Sequence, residues 1–156
     1  MVKVLMCCSS LETKGGMVSV TKNYLAYKDW GEYKIKFIPT HFDANKYIVI
    51  LFFCIQFIKI VFAVWFGNYK IAHLHTAECG SFWRKAFLMR FFHKHVIKVV
   101  MHHHAAEFED FYNRCSDQAL REEAYPYERM AVVCECPCRC QLSLTPFLKY
   151  LCRSGG

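Results

Sequence analysis

The segment VKVLMCCSSLETKGGMVSVTKNYL (residues 2–25) joins an apolar run, a polar loop and a helical pattern, and this combination decides the fold class. Residues 2–8 are apolar and rich in β-branched side chains, as is typical of a buried strand. In the residues that follow, side chains suited to burial recur at the spacing of one helical face. These side chains are Met17, Val18, Thr21, Tyr24 and Leu25. The segment therefore predicts a strand, a loop that ends in two glycines, and a helix.

The rest of the first 117 residues repeats this alternation of strand and helix patterns. Further strands are predicted at residues 33–38, ending before Pro39, and at residues 70–75 and 96–102. Helical patterns cover residues 47–66 and 82–95, and another helix begins at residue 105. This order predicts an α/β fold with a Rossmann-like, doubly wound parallel sheet, whose binding crevice lies past the carboxyl ends of the strands.

The composition indicates the cellular compartment of the protein and the classes of partner that it could bind. Of the 156 residues, 54% are hydrophobic, which excludes intrinsic disorder. The amino terminus lacks the pattern of a signal peptide, so we expect a cytoplasmic protein whose ten cysteines are free. The net charge of +7 predicts an anionic partner: a phosphate-bearing substrate, a lipid surface or nucleic acid. Nucleic acid ranks last, because the basic residues are spread along the chain without a known reader motif.

The composition changes near Asp117. All eight histidines lie between His41 and His104, whereas half of the ten cysteines and three of the four prolines follow Gln118. Residues 1–117 carry 15 basic and 9 acidic side chains and therefore most of the positive charge. We expect residues 1–117 to form one domain and residues 118–156 an irregular tail, in which the stretch MAVVCE (residues 130–135) forms one strand.

Residues 47–66 are apolar except for Gln56 and Lys59. A helix of this length would cross a bilayer core of roughly 30 Å. A lysine well inside the membrane is costly, however, at roughly 2.5–3.5 kcal/mol on insertion scales. We therefore expect a helix that packs on the sheet or lies in a membrane interface, with a true membrane span as the alternative.

Two loops carry groups suited to binding anions. Gly15 and Gly16 separate the first strand from the first helix, where glycines and free helical N–H groups favour phosphate, although a plain turn explains them equally well. In the second loop Ser81 is predicted to cap a helix whose first turn holds Arg84 and Lys85. The alternative for these two basic residues is a solvated surface without a ligand.

Histidines and cysteines cluster without matching a known metal-binding pattern. In the predicted strand His102 and His104 share a face, but nothing in the sequence fixes a third ligand, so no metal is expected there. One of these histidines is better interpreted as a polar group or general base. CECPCRC (residues 134–140) has cysteine at every second position, unlike the spaced pairs of zinc modules.

Three linked motifs resemble the amino-terminal half of family 4 glycosyltransferases of the two-Rossmann-domain (GT-B) type, in particular bacterial enzymes of cell-surface polysaccharide synthesis. The first is the opening strand and glycine loop, and the second is the stretch HLHTAECGSFWRK (residues 73–85). The third is HHHAAEF (residues 102–108), in which Ala105 replaces the usual glycine. The resemblance covers residues 1–117, about three quarters of the chain.

The resemblance implies transfer of a sugar from a nucleotide-sugar donor to an acceptor hydroxyl with retention of configuration, and it implies no metal or other cofactor. It places Gly15 and Gly16 beside the donor phosphates and makes His104 the catalytic residue near the reacting sugar. The resemblance also implies a saccharide or a lipid-linked pyrophosphoryl sugar as the acceptor, and a contact of residues 47–66 with the inner face of the plasma membrane would suit the latter. The remaining residues assigned to acceptor or anion binding are His75, Glu78, Ser81, Arg84, Lys85 and Glu107.

The resemblance ends where the composition changes. Members of the family continue with a second domain that binds the nucleotide sugar, and this chain does not show that pattern after Asp117. We therefore expect a truncated transferase that is inactive alone, with residues 118–156 read in a shifted frame or, as the alternative, diverged in frame. The alternatives are a non-catalytic protein that binds a membrane surface or a partner, and a cysteine-rich metal module.

Overall fold

The computed structural model describes residues 1–76, 80–103 and 131–134 of the chain. Its strands are β1 (Val2–Ser9), β2 (Tyr33–His41), β3 (Ile71–Thr76), β4 (Lys98–His103) and β5 (Ala131–Cys134). Its helices are α1 (Gly16–Ala26), α2 (Lys46–Gly67) and α3 (Gly80–Lys94). Strands and helices therefore alternate along the first 103 residues, as the sequence predicts.

The strands form a single parallel sheet in the order β2-β1-β3-β4-β5. The chain moves from β1 to β2 on one side and then returns to β3 on the other side of β1. This reversal between β1 and β3 is the switch point at which doubly wound sheets bind ligands, outside the carboxyl ends of the strands. The predicted fold class, a Rossmann-like α/β sheet, is confirmed.

The helices cover both faces of the sheet and create two separate apolar cores. On one face, α2 and α3 pack over Leu5, Cys7 and Leu74. On the other face, α1 packs over Val4 and Met6. Because β1 is covered on both faces, its residues from Val4 onward are all buried, which explains the continuous apolar run in the sequence.

Strand β2 continues through Pro39 to His41, so the predicted end of this strand before the proline is wrong. The reason is that β2 lies at the edge of the sheet. Pro39 has no N–H group, and at an edge strand this group can be absent without loss of a hydrogen bond between strands. The pairing with β1 shifts register after Cys8, so that Ser9 pairs with His41. This irregularity lies at the carboxyl end of both strands, next to the binding crevice.

Helix α2 is 22 residues long and packs on the sheet along one narrow face. Its buried residues are Val49, Gln56, Ile60 and Ala63. Most of the remaining surface of the helix is apolar and exposed, including Leu51, Phe62 and Trp65. Within the described ranges α2 is the one helix that is long and apolar enough to cross a membrane, a property it shares with core helices of soluble proteins.

Helices α2 and α3 pack side by side through aromatic rings. Phe57 of α2 contacts Phe87 and Phe91 of α3, with ring centroids 5.0 and 5.1 Å apart. The Trp65 indole N–H donates to Nε2 of His95, just after α3, at 3.3 Å. These contacts fix the position of α3 and therefore of the basic residues in its second turn.

Strand β5 pairs in parallel with β4, and its four residues lie beyond position 117. The short strand predicted around residues 130–135 is therefore present and belongs to the same sheet. The helix predicted from residue 105 and the rest of the predicted tail fall at residues 104–130 and 135–156, outside the described residues.

Candidate functional site at the carboxyl edge of the sheet

The loop between β1 and α1 turns at the carboxyl edge of the sheet. Ser10 N–H donates to the His41 carbonyl oxygen at 2.6 Å, which ties the start of the loop to the end of β2. At the other end, Gly15 has a positive φ of 144°, a backbone conformation that residues with side chains rarely adopt. Among the described residues, apart from the neighbouring backbone, no atom lies within 4 Å of where a Cβ at Gly15 or Gly16 would stand, so this part of the structure leaves space beside the predicted phosphate loop.

The Lys85 side chain is buried between α3 and the sheet. Its ammonium donates to the Thr40 hydroxyl, which in turn donates to the Cys8 carbonyl oxygen at 3.0 Å. Burial lowers the pKa of Lys85 to about 8, although the neighbouring Cys7 and Cys8 act in the opposite direction. Lys85 is therefore not part of a solvated basic surface.

Arg84 and His41 place two further nitrogen atoms near Lys85. Arg84 Nε and His41 Nδ1 are buried and have no hydrogen-bond partner among the described residues. Burial and then the Arg84 charge lower the pKa of His41, and Asp43 opposes them from 3.8 Å. Burial also lowers the pKa of the Arg84 guanidinium.

We call His41, Arg84 and Lys85 the basic cluster. Leaving a buried donor without an acceptor costs roughly 1–3 kcal/mol, and more when the group is charged. A bound anion would supply an acceptor oxygen for Arg84 Nε, and for His41 Nδ1 when that nitrogen carries a proton. Hydrogen bonds between charged groups are the strong ones. The arrangement is therefore chemically suited to a phosphate or pyrophosphate group.

Ser81 and His75 do not have the positions that the sequence predicts. Ser81 is the second residue of α3, which begins at Gly80, so it lies inside the first turn and not in the position before the helix. For the same reason Arg84 and Lys85 lie in the second turn of α3 and not in the first. His75 contacts Tyr24 of α1, on the face of the sheet opposite α3. The structure therefore does not bring His75 together with Lys85.

His75 belongs instead to a cluster of three buried histidines, His73, His75 and His102, which we call the histidine cluster. Their ligand nitrogens all lie within 4.8 Å of one another. The His73 and His75 rings are 4.3 Å apart by centroid, and His102 lies 4.9 Å from His75. The Tyr24 ring lies 5.8 to 6.2 Å from all three.

Sequence reasoning missed this cluster because its members come from two strands. His73 and His75 lie two residues apart on β3, and the pairing of β3 with β4 places His75 opposite His102. The signal was present in the two histidine-rich stretches at predicted strand ends. The register between the strands, which decides whether the stretches meet, is set by tertiary structure.

Three predicted site residues, Glu78, His104 and Glu107, lie outside the described residues. The catalytic assignment of His104 therefore stays a prediction. His103, the last residue of β4, lies at the carboxyl edge of the sheet. This is the edge at which the glycine loop and the basic cluster lie.

The buried cysteines at this edge are poor nucleophiles. Cys7, Cys8 and Cys54 are free thiols, and the first two are buried. Burial raises the pKa of Cys7 to about 12 and also raises that of Cys8, whose sulfur accepts from the Thr21 hydroxyl. Because the thiolate is the reactive form, neither residue is suited to nucleophilic catalysis at neutral pH.

Comparisons with known proteins add no relative. No protein-family model, no curated protein and no solved structure matches this chain. The functional interpretation therefore rests on the geometry of the carboxyl edge and on the three motifs in the sequence.

Proposed function

We propose that this domain binds a pyrophosphoryl-linked sugar acceptor at the carboxyl edge of its sheet, as the acceptor side of a retaining glycosyltransferase. The observation that carries the proposal is a pair of buried nitrogens, Arg84 Nε and His41 Nδ1, which have no hydrogen-bond partner in the described part of the chain and lie near the buried Lys85 ammonium. The sugar would pass from a nucleotide-sugar donor to a hydroxyl of the acceptor.

The glycine loop supports a second phosphate position at the same edge. Gly15 and Gly16 leave open space at the start of α1, where the first N–H groups of the helix have no partner within the helix. We assign this position to the donor phosphates and the basic cluster to the acceptor phosphates. His104, directly after β4, is the proposed catalytic residue.

The exposed face of α2 supports a membrane-associated acceptor. A groove of about 560 Å³ runs between α2 and β2, lined by Lys36, Lys59, Phe62 and Phe66 among others. Lysines beside exposed aromatic rings suit an interface with anionic lipid headgroups. We propose that α2 lies in this interface, because a spanning helix would place β2 and β3, which flank β1 in one sheet, on opposite sides of the bilayer.

The acceptor site is tested by calorimetric titration of the full chain with a soluble short-chain prenyl pyrophosphoryl sugar. Arg84→Gln is expected to weaken binding about 10- to 100-fold, because a charge-assisted hydrogen bond contributes roughly 1.5–3 kcal/mol. Lys94→Met is the matched control, since Lys94 is exposed near the far end of the same helix.

Two results would contradict the proposal. One is equal affinity of the wild type and the Arg84→Gln variant for the pyrophosphoryl sugar. The other is binding of a nucleotide sugar that the Arg84→Gln substitution abolishes, without any binding of the prenyl pyrophosphoryl sugar. The second result would move the cluster from the acceptor side to the donor side.

A non-catalytic protein that binds a membrane surface is the second candidate, and the exposed apolar face of α2 is the observation that favours it. It predicts vesicle binding without any affinity for the pyrophosphoryl sugar in solution. The titration therefore separates the two candidates.

A further inference from the structure

We propose that His73, His75 and His102 together bind one Zn²⁺ ion. The three imidazoles meet on the α1 face of the sheet, whereas the basic cluster lies on the α2/α3 face. The inference therefore stands independently of the proposed sugar transfer.

The fold brings the three side chains together through strand periodicity and register. Successive residues of a strand point to opposite faces, so His73 and His75 share one face of β3. Ile71 on β3 and Val100 on β4 belong to the core beneath α1, which identifies that face. In the ladder between β3 and β4, His75 is the direct partner of His102.

The spacing of the donor atoms is close to that of a metal site. Zinc–nitrogen bonds of about 2.0–2.1 Å at tetrahedral angles place ligand nitrogens roughly 3.3 Å apart. The nitrogens of the histidine cluster all lie within 4.8 Å of one another. Closing the site therefore requires side-chain rotations that move the nitrogens by about an ångström, without a change in the strands.

The three imidazole nitrogens determine which metal ions suit the site. Three imidazoles suit zinc and the late divalent metals, whereas Mg²⁺ and Ca²⁺ prefer oxygen ligands. Zinc takes four ligands in a tetrahedron, so three histidines leave one position for a further donor such as water. All three residues are at most 1% exposed, so a bound ion would be shielded from bulk water.

Bound zinc would tie two strands to each other at the carboxyl edge. It would join the ends of β3 and β4 on the face where Tyr24 of α1 covers the histidine rings. Metal binding by a folded site stabilises the folded state. The unfolding temperature of the full chain is therefore expected to rise with added Zn²⁺.

The experiment measures zinc on the purified full chain. After dialysis against a chelator, titration with Zn²⁺ is expected to show one high-affinity site per chain. X-ray absorption of the loaded wild type should show imidazole ligands at about 2.0–2.1 Å and no sulfur at about 2.3 Å. This spectroscopic measurement needs no variant and therefore does not depend on how substitutions affect folding.

Substitutions locate the site. His75→Gln and His102→Gln are each expected to weaken Zn²⁺ binding by more than about 100-fold, since even the loss of an outer-shell partner costs 10- to 100-fold. His93→Gln on α3 is the matched control and should bind as the wild type does. Circular dichroism of each metal-free variant shows whether it is folded, and only folded variants are compared.

The cysteines of residues 134–140 offer a competing explanation for bound zinc. A variant with serine at Cys134, Cys136, Cys138 and Cys140 is expected to keep the high-affinity site. The proposal is overturned by a zinc–sulfur distance in the wild type, by loss of the site in the serine variant, by unchanged affinity in folded His75→Gln, or by the absence of stoichiometric zinc binding.

Discussion

Lys85 is expected to contribute to the proposed binding of an anion while it lowers the stability of the fold. Its ammonium is buried, and burial lowers its pKa from 10.5 to about 8. Between these two pH values the unfolded chain binds more protons than the folded chain, so this lysine makes the fold less stable as the pH falls. At pH 7 the cost is about 3 kcal/mol, since one pKa unit corresponds to about 1.4 kcal/mol.

Lys85→Met is expected to raise the free energy of unfolding at pH 7 by about 1–3 kcal/mol, because it removes a buried charge and keeps an apolar side chain of similar length. The advantage over the wild type should shrink as the pH rises from 8 to 10.5, where the wild-type lysine becomes neutral. Urea denaturation at several pH values measures both effects, and affinity for the pyrophosphoryl sugar should fall in the same variant.

The exposed Lys94→Met variant is the control for Lys85→Met. Its stability should differ little from that of the wild type at every pH, since surface substitutions usually change stability by less than about 0.5 kcal/mol. A Lys85→Met variant that is less stable than the wild type at pH 7 would mean that the buried ammonium stabilises the fold. The proposed conflict between stability and binding would then be wrong.

At the scale of elements, the end of α3 carries a strained turn. Val96 N–H donates to the His93 carbonyl at 3.1 Å, and Ile97 N–H donates to the Phe92 carbonyl at 3.0 Å. This pair of hydrogen bonds is the Schellman motif, which needs a left-handed residue and usually has glycine there. Here Val96 occupies it with φ 57°, although β-branched residues are strongly disfavoured in this region.

Val96→Gly is expected to stabilise the protein by about 1 kcal/mol. A left-handed conformation costs an L-residue roughly 1–2 kcal/mol, and the entropy that glycine loses on folding offsets part of the gain. No packing is lost, because Val96 is 92% exposed. Thermal unfolding measures the change in stability. The control variant Val96→Ala keeps the Cβ and should therefore gain less stability than Val96→Gly. A Val96→Gly variant that is less stable than the wild type would show that Val96 is not strained.

For the whole molecule, the outer face of α2 is an exposed apolar surface that packing of the described residues does not explain. Leu51, Ile55, Ile58, Phe62 and Trp65 follow one another at intervals of three and four residues and are 47% to 63% exposed. They form a stripe on the side of α2 away from the sheet. An apolar surface of this kind in a folded protein marks an interaction site.

A Leu51→Glu/Phe62→Glu variant is expected to reduce binding to vesicles that contain anionic lipids by at least about tenfold, because it removes two apolar side chains from the interface. Co-sedimentation with liposomes measures the bound fraction. Binding of the wild type should also weaken at high salt if Lys36 and Lys59 contact headgroups.

Val96→Glu is the control for the vesicle experiment, since it introduces one glutamate at an exposed apolar residue outside α2. Equal binding of the double variant and the wild type would exclude the stripe as a contact surface. Resistance of the bound chain to alkaline carbonate extraction would contradict an interfacial helix and favour a membrane span.

The sequence by itself determined the alternation of strands and helices, and with it the parallel α/β sheet. This was possible because helical and strand periodicities are local: the face formed by Val18, Thr21 and Tyr24 can be identified within one segment, and all three residues are buried. The two glycines at the start of α1, Gly15 and Gly16, could be placed for the same reason. The apolar stretch of α2 was equally clear, but which side of it faces the sheet was not.

Only the tertiary structure decided which side chains meet. The burial of Lys85 depends on how α3 packs against the end of β2, and the contact of His75 with His102 depends on the register between two strands far apart in the chain. Register and packing are set by hydrogen bonds and apolar contacts between segments, and no periodicity within one segment encodes them. The basic residues were therefore predictable as candidates, whereas the buried histidine cluster required the fold.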